Sequence, residues 1–429
     1  MGPDLAVAGK ALAAACAELR EGTPADAVGG TSGVVPAFVA SPSSTQEAAA
    51  LLRAAAEHDL AVVPRGSGSR LGWGLPPERC DLVVDMLRMD AVVEHAAGDL
   101  VARVQAGARM GEVSRLLALA GQEIALDVPA GATIGGVVAS GLAGPRRLRY
   151  GAPRDLLIGI TIVRCDGTVA RSGGKVVKNV AGYDLGKLFA GSAGTLGLIT
   201  EATFRLHPLP AARRFVTAEF IAPTVACDAV AAAANSPLVP SAVELSRHAP
   251  GGPLQVGVLL EGSPDGVAAR AERMANLLGP ARLGADVQAV AESPPPWWPG
   301  APKAHGGTLI RVSFWVSALG RVLDAIDTAA GETGLSPLVH GSAGAGVLYT
   351  GLRAEVEGVA EFVGALRRVL DHERGGVVVL AAPAPVREAL ATRGGMAGRV
   401  SSLGLMRAVK DQFDPGHRMA PGRFPEVIR

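Results

Sequence analysis

Glycine most constrains what this chain can fold into. Three stretches hold it at high density: 64–74, which opens PRGSGS; 131–151, within PAGATIGGVVASGLAGPRRLRYG; and 173–197, which ends in GSAGTLG. The total is 56 glycines in 429 residues, about 13% against an average usage of about 7%. Glycine admits positive φ and lets backbone approach another group closely, so its clustering marks main chain pressed against something other than side chains. Thirty prolines accompany it. With no G-X-Y period and no low-complexity tract, a collagen-like or disordered linker chain is excluded.

The length sets a prior of two to three domains, and 48% hydrophobic residues supply a sizeable core. Basic and acidic side chains number 41 and 40. That balance argues against a polybasic nucleic-acid binder. Cys16, Cys80, Cys165 and Cys227 form no C-x-x-C pair, which argues against a disulfide framework or an iron-sulfur cluster. The N-terminal run, broken by Asp4, Lys10, Glu18 and Arg20, has no signal-peptide h-region, and no stretch of 18 or more uninterrupted apolar residues predicts a membrane span. The expectation is a cytoplasmic protein.

Ser44 with Glu47 predicts a capping box for a helix ending near His58, along which Ala48, Leu51, Leu52 and Ala55 recur at helical spacing. The run Ala61–Val63 predicts a strand that ends on Pro64, Arg65, Gly66, Ser67, Gly68 and Ser69. Further strands are predicted at Asp81–Met86, Leu100–Gln105, Leu156–Arg164, Thr168–Arg171 and Glu201–Leu206, with an Asp166-Gly167 hairpin turn. A helix is expected at Met110–Leu119, stopped by Gly121. Beyond 211 the pattern becomes strand and helix pairs: strands at Gln255–Leu260, Thr308–Phe314 and Val377–Leu380, helices at Val267–Leu278, Leu319–Ala330 and Val356–Leu370. A proline-aromatic loop, Pro294 to Pro299, separates them. This predicts an α+β cap with an antiparallel sheet covered on one face. A last helix, Leu403–Phe413, precedes FDPGHRMAPGRF. The expected domains are 1–210, 211–400 and a C-terminal segment, 401–429, returning to the first.

A glycine-rich loop after a strand can aim successive backbone amides into one concavity and hold a pyrophosphate without a lysine. Alone, RGSGS is an ordinary turn; it is neither a Rossmann fingerprint nor a Walker A loop. In combination the order is specific. RGSGS, then PAGATIGG, YGAPRD and KNVAGYDLGKLFAGSAGTLGLITEATFRL resemble the FAD-binding domain of the vanillyl-alcohol oxidase (PCMH-type) superfamily. KNVAGYDL and GSAGTLGLITE are similar to its 2-hydroxy-acid branch, and GLAGPRR and FDPGHRMAPGRF are similar to the FAD-binding E subunit of glycolate oxidase. The resemblance is strong over 44–210 and 403–424 and faint between.

That resemblance implies an α+β fold with a PCMH-type FAD domain of two subdomains. The backbone of Pro64 to Ser69 would hold the pyrophosphate. Pro129, Thr133, Ile134, Gly135, Gly136 and Gly141 would run along the flavin and ribityl chain. Asn179, Gly194, Gly197, Ile199 and Thr200 would close over the cofactor. Gly151 and Asp155 would brace that wall, and Pro421, Gly422 and Arg423 would return to the flavin edge. RGSGS lacks the histidine by which some members tether flavin, so the FAD is expected to be noncovalent. The eight histidines are scattered without an H-x-x-x-H pair, so no metal site is expected.

Oxidising a 2-hydroxy acid requires a cation for the carboxylate and a base for the hydroxyl. The candidates are Arg311, which the resemblance also suggests, with Lys303 and His305 nearby, and Lys178 and Tyr183. Alternation along Thr308–Phe314 equally allows Arg311 a solvated face, and residues 178–184 equally serve turn and cap chemistry before a helix starting near Asp184. The resemblance implies glycolate or D-lactate as substrate, with a second flavoprotein and an iron-sulfur subunit as electron acceptors. A non-catalytic FAD-carrying subunit and a sugar or lactone oxidase are the rival readings.

Overall fold

In the computed structural model, residues 3–30, 33–174, 184–279, 286–298, 307–353, 356–372 and 375–423 are described. The chain divides into two units. Unit 1 comprises Met1–Leu142, Ala152–Leu209 and Val400–Arg429, and unit 2 comprises Ala143–Gly151 and Pro210–Arg399.

Unit 1 holds two main sheets. The four-stranded one runs Leu19–Glu21, Phe38–Ala40, Leu82–Asp85, Val62–Arg65. Its outer pair is antiparallel, and the other two pairings are parallel. The helix Thr45–Glu57 begins where the Ser44 hydroxyl accepts from the amide of Glu47 at 3.1 Å. The expected capping box is only half formed. The Glu47 carboxylate turns instead to the Ser43 amide at 2.7 Å and the Ala17 amide at 3.1 Å, which ties the helix start to the chain before it. Ala48, Leu51, Leu52 and Ala55 are buried, as helical spacing requires of one face.

The five-stranded sheet is antiparallel, ordered Val92–Ala96, Val101–Gln105, Leu198–Arg205, Leu157–Val163, Val169–Gly173. One apolar cluster joins both sheets, from Leu51 and Leu82 through Val104 and Ile162 to Phe204. The helix Leu403–Phe413 closes on this unit, with Phe413 edge-on to Phe189 at 5.6 Å between ring centroids. Beyond it, Met419 lies parallel beside Val62, whose amide donates to Arg418 O and whose carbonyl accepts from the Ala420 amide, both at 2.8 Å. The C-terminal segment therefore extends the four-stranded sheet past its last strand.

Unit 2 is built on an eight-stranded sheet ordered Asp286–Ala291, Ala212–Phe220, Leu254–Gly262, Ala242–Arg247, Leu338–Gly341, Val347–Leu352, Thr308–Ser313, Gly376–Ala381. Every pairing in it is antiparallel. The helices Pro264–Leu278 and Leu319–Thr333 bury Val267, Ala271 and Met274, and Val322, Leu323 and Ile326. Arg247 projects toward the second of these helices and grips Asp327 at 2.8 and 2.5 Å. Because side chains alternate along a strand, Ser246, beside Arg247, belongs to the opposite face of the sheet.

The segment Ala143–Gly151 is fastened within unit 2. Buried Glu261 accepts from Arg213 at 3.0 Å, from Arg146 at 3.4 Å and from the Tyr150 hydroxyl at 3.4 Å.

Candidate functional site

The glycine-dense loops of unit 1 are one continuous structure. Strand Val62–Arg65 delivers Gly66 so close to Thr133 that a Cβ there would lie 2.1 Å from Thr133 Oγ1. The same hydroxyl accepts from the Gly136 amide at 3.3 Å and caps the helix Ile134–Ser140. Amides of Ile134 and Gly135 donate to Ala108 O and Ala106 O at 2.9 and 2.7 Å, and a Cβ on Gly135 would stand 2.8 Å from that of Ala106. Gly141, at φ +63°, ends the helix. The 191–200 stretch joins through Gly191 N to Val138 O at 2.9 Å and Ala193 N to Ala139 O at 2.8 Å. Gly194 takes φ +78° against the Pro64 ring, 3.2 Å from where its Cβ would be. Four segments far apart in sequence thus meet, through backbone hydrogen bonds, the Thr133 hydroxyl and the Pro64 ring, and a Cβ would crowd its neighbour at Gly66, Gly135 and Gly194.

The charge of Arg65 is committed inside the protein. Its guanidinium holds Asp85 at 2.8 Å and Asp26 at 2.9 Å, and Asp26 is also held by Arg20. Among the described residues, no carbonyl or side chain accepts from the amides of Ser67, Gly68 and Ser69. Three consecutive free amides on a loop turned by Gly68 at φ +74° leave the backbone able to act as an anion-accepting nest. That is what a cofactor pyrophosphate requires, so this loop fits FAD through its backbone.

Other expected cofactor residues have visible local duties. Pro129 O accepts from Ala132 in the turn before Thr133. Asp155 accepts from the Ala152 amide at 2.8 Å, and Gly197 at φ +152° crosses the Val163 carbonyl. Ile199 and Thr200 point into the core. The Thr200 hydroxyl donates to Thr161 O at 3.3 Å and meets Thr45 Oγ1 at 3.1 Å, which leaves the backbone as what these two can offer a ligand. Gly151, at φ +83°, belongs to unit 2, where it ends the turn Arg147–Tyr150.

Arg423 is the brace of the first loop. Its guanidinium donates to Leu71 O and Trp73 O, both at 2.8 Å, while Pro421 O accepts from the Glu78 amide and Gly422, at φ +80°, packs on Glu78. Burial pushes the Arg423 guanidinium down to about 10. Deeper in, the Lys410 ammonium reaches Asp414 at 2.5 Å, Thr195 O at 2.8 Å and Met419 O at 3.0 Å. Neither Arg423 nor Lys410 touches residues 67–69; Arg423 fixes residues 70–73 just after them, and Lys410 ties Thr195 to the C-terminal segment.

In unit 2, Arg311 lies opposite Tyr349 in the strand register, and His340 lies opposite Tyr349 on its other side. The imidazole of His340 stacks on the Tyr349 ring at 5.8 Å. Ser246 and Gln255 continue this row on the face away from Asp327. Arg311 is half-buried: its Nε is buried and, among the described residues, has no hydrogen-bond partner. Burial holds its guanidinium below the ordinary value; Tyr349 opposes that, and Arg147 adds to it by repulsion. Arg147 also donates to the Tyr349 hydroxyl at 3.4 Å. Lys178, Asn179, Tyr183, Lys303 and His305 lie outside the described residues. Sequence reading did not single out Tyr349, His340 or Arg147 as site residues. The one available signal was alternation in Leu338–Gly341 and Val347–Leu352, strands too short to announce themselves.

Among the described residues, no group of three His, Cys, Asp or Glu could hold a metal ion, all four cysteines are free thiols, and no helix is long and apolar enough to cross a membrane. A cavity of about 410 Å³ in unit 2, lined by Phe215, Thr217, Ala289, Pro294 and Trp297 among others, carries no charged group.

Residues 36–173, which contain the nest and the Thr133 helix, match the family described as FAD binding domain. This stretch is an FAD binding domain. FAD is accordingly the cofactor, and the fold is of the PCMH type. The chain is 35% identical over 212 residues to glycolate oxidase subunit GlcD of Bacillus subtilis, covering 49% of this chain and 45% of that protein. Over 154 residues it is 39% identical to glycolate oxidase subunit GlcE of Escherichia coli, covering 35% and 43%. It is 35% identical over 203 residues to the mitochondrial D-lactate dehydrogenase [cytochrome] 1 of Saccharomyces cerevisiae, covering 47% and 34%. The chain thus spans less than half the length of these curated relatives. Among solved structures, p-cresol methylhydroxylase with substrate bound shares the fold with a TM-score of 0.72 over 98% of this chain and 96% of that one, at 16% identity. Alkyldihydroxyacetonephosphate synthase does so with a TM-score of 0.67 over 91% and 77%, at 18% identity.

Proposed function

We propose that the chain is an FAD-dependent oxidoreductase that converts a 2-hydroxy acid such as glycolate or D-lactate to the 2-oxo acid, working as a subunit that passes its electrons to an iron-sulfur or flavoprotein partner. The observation that carries the reading is Arg311, a half-buried guanidinium whose buried Nε has no hydrogen-bond partner among the described residues, beside Tyr349 on the polar face of the unit 2 sheet. A planar fork of donors matches a carboxylate. The names of the relatives, glycolate oxidase and D-lactate dehydrogenase, supply the substrate class.

When bound, FAD supplies the acceptor for the hydride leaving the α-carbon. The chain's own residues do the rest. Amides of Ser67 to Ser69 hold the cofactor noncovalently by its pyrophosphate, and Gly66, Gly135 and Gly194 keep the cradle narrow enough to exclude side chains. Arg311 holds the substrate carboxylate. Lys178, Tyr183 and His305 are the candidates to take the hydroxyl proton.

The test is anaerobic mixing of the purified flavin-loaded chain with glycolate, D-lactate or an aldose while the visible flavin band is followed. Bleaching by a hydroxy acid, weakened in Arg311→Ala, supports the reading. No bleaching by the chain alone, with bleaching on addition of its copurifying partners, would assign turnover to the partners and leave this chain as an FAD-carrying subunit. Bleaching by aldoses alone would assign it to the sugar oxidases.

A further inference from the structure

We infer that unit 2 contains a two-arginine carboxylate site in which Arg147, on the segment Ala143–Gly151, is a second cation alongside Arg311, with the Tyr349 hydroxyl between them.

Three observations carry this. First, Arg147 and Arg311 converge on the same tyrosine from different elements: Arg147 donates to its hydroxyl at 3.4 Å, and Arg311 faces it across the strand pair. Second, among the described residues neither guanidinium has a carboxylate partner. Glu261, the acid fastened to the same short segment, is already committed to Arg146, Arg213 and Tyr150. Both arginines are half-buried, and like charges held together where water is partly excluded are costly unless an anion joins them. Third, Arg147 is built in place. It donates to Gly144 O at 3.4 Å and to Ala143 O, and its neighbour Arg146 is buried against Glu261. The pair therefore exists before a ligand arrives, and two forks plus a hydroxyl suit the two oxygens of one carboxylate.

The inference deepens the 2-hydroxy-acid reading and rests on it for the identity of the anion, whereas the existence of the site does not depend on turnover. The probe is oxalate, a non-reacting dicarboxylate, titrated calorimetrically into the full flavin-loaded chain, with inorganic phosphate as competitor. Expected is oxalate binding that weakens by at least about tenfold in Arg147→Ala and in Arg311→Ala, and by about threefold in Tyr349→Phe, with partial retention in Arg147→Lys; the factors follow the usual worth of charge-assisted and neutral hydrogen bonds. Tyr349→Phe leaves the backbone bonds of Arg147 intact, so it reads the site even where Arg147→Ala loosens its segment. Unchanged oxalate binding in Tyr349→Phe together with Arg147→Lys, or displacement of oxalate by phosphate at equal concentration, would overturn the site. Oxalate binding that depends on Arg147 without any hydroxy acid bleaching the flavin would uphold the site and sink the reaction. Bleaching by hydroxy acids with an unchanged KM in Arg147→Lys and Arg147→Ala would do the reverse.

Discussion

Thr133 Oγ1 stands 2.1 Å from the place a Cβ on Gly66 would take. The two residues, 67 positions apart, lock the first glycine loop onto the capped turn of the second. Gly66→Ala is expected to force them apart at about 1–3 kcal/mol, the usual cost of an overpacked contact. The purified variant should carry much less flavin per polypeptide, read as the ratio of visible to protein absorbance. Adding Thr133→Ala relieves the 2.1 Å contact and should restore part of the flavin; no loss in the single variant would show that the junction is not part of the cradle.

Arg423 acts at a distance from the nest, through three carbonyls of residues 70–73. Arg423→Met keeps much of the buried bulk and removes the donors. Hydrogen exchange should quicken through residues 66–74 and FAD should dissociate faster, with the unit 2 helices exchanging as before. A wild-type exchange pattern over 66–74 would refute this bracing role.

Burial alone would raise the Asp414 carboxyl, but the Lys410 charge and hydrogen bond, with the Met419 and Arg418 amides, hold it below the ordinary carboxylate range. Glu47 is likewise held at about 2, the Ser43 and Ala17 donors outweighing its burial. A depressed folded value means that the unfolded chain takes up protons first, so this stability is present above the unfolded value and drains away as pH falls. For Glu47 the window runs from 4.5 down to about 2. Urea midpoints should therefore decline below about pH 4.5. Lys410→Met should strip Asp414 of its cation at a cost of about 3–5 kcal/mol at neutral pH and, because the depressed Asp414 value then rises, shrink the Asp414 share of the acid decline; an unchanged midpoint at neutral pH would contradict the buried pair.

Burial pushes the Cys80 thiol up to about 12, and those of Cys16, Cys165 and Cys227 up to about 11. Thiolate is the reactive form. Native protein at pH 8 should react sluggishly with a disulfide reagent, Cys227 first because it is the one only partly buried, and all four should react promptly in denaturant. Fast native labelling of two or more thiols would contradict this packing.

Much of the local structure of the glycine-rich segments was legible because its signals are local. A strand running into RGSGS and a helix starting after Asp184 both follow from dihedral and capping rules acting over a few residues; the Thr133 cap emerged only in the structure. Helix Leu403–Phe413 matches its apolar spacing to the residue. The duties of Arg65 and Thr200 were not legible, because their partners Asp26, Asp85, Thr45 and Thr161 are set by strand order. The row Arg311, Tyr349, His340, Ser246 is the extreme case. It exists only in the cross-strand register of four strands, two of them as short as Leu338–Gly341 and Val347–Leu352, and no period along the chain encodes it.

The strand position beside Val62 is filled by Met419, and the first glycine loop is pinned by Arg423. On a ribosome, residues 210–399 emerge before either of these. Nascent unit 1 therefore waits, with its sheet edge bare and its loop unpinned, while the whole of the intervening chain is made. A chain that stops before Met419 would therefore hold a complete second unit beside a first unit whose sheet edge stays bare and whose first glycine loop stays unpinned.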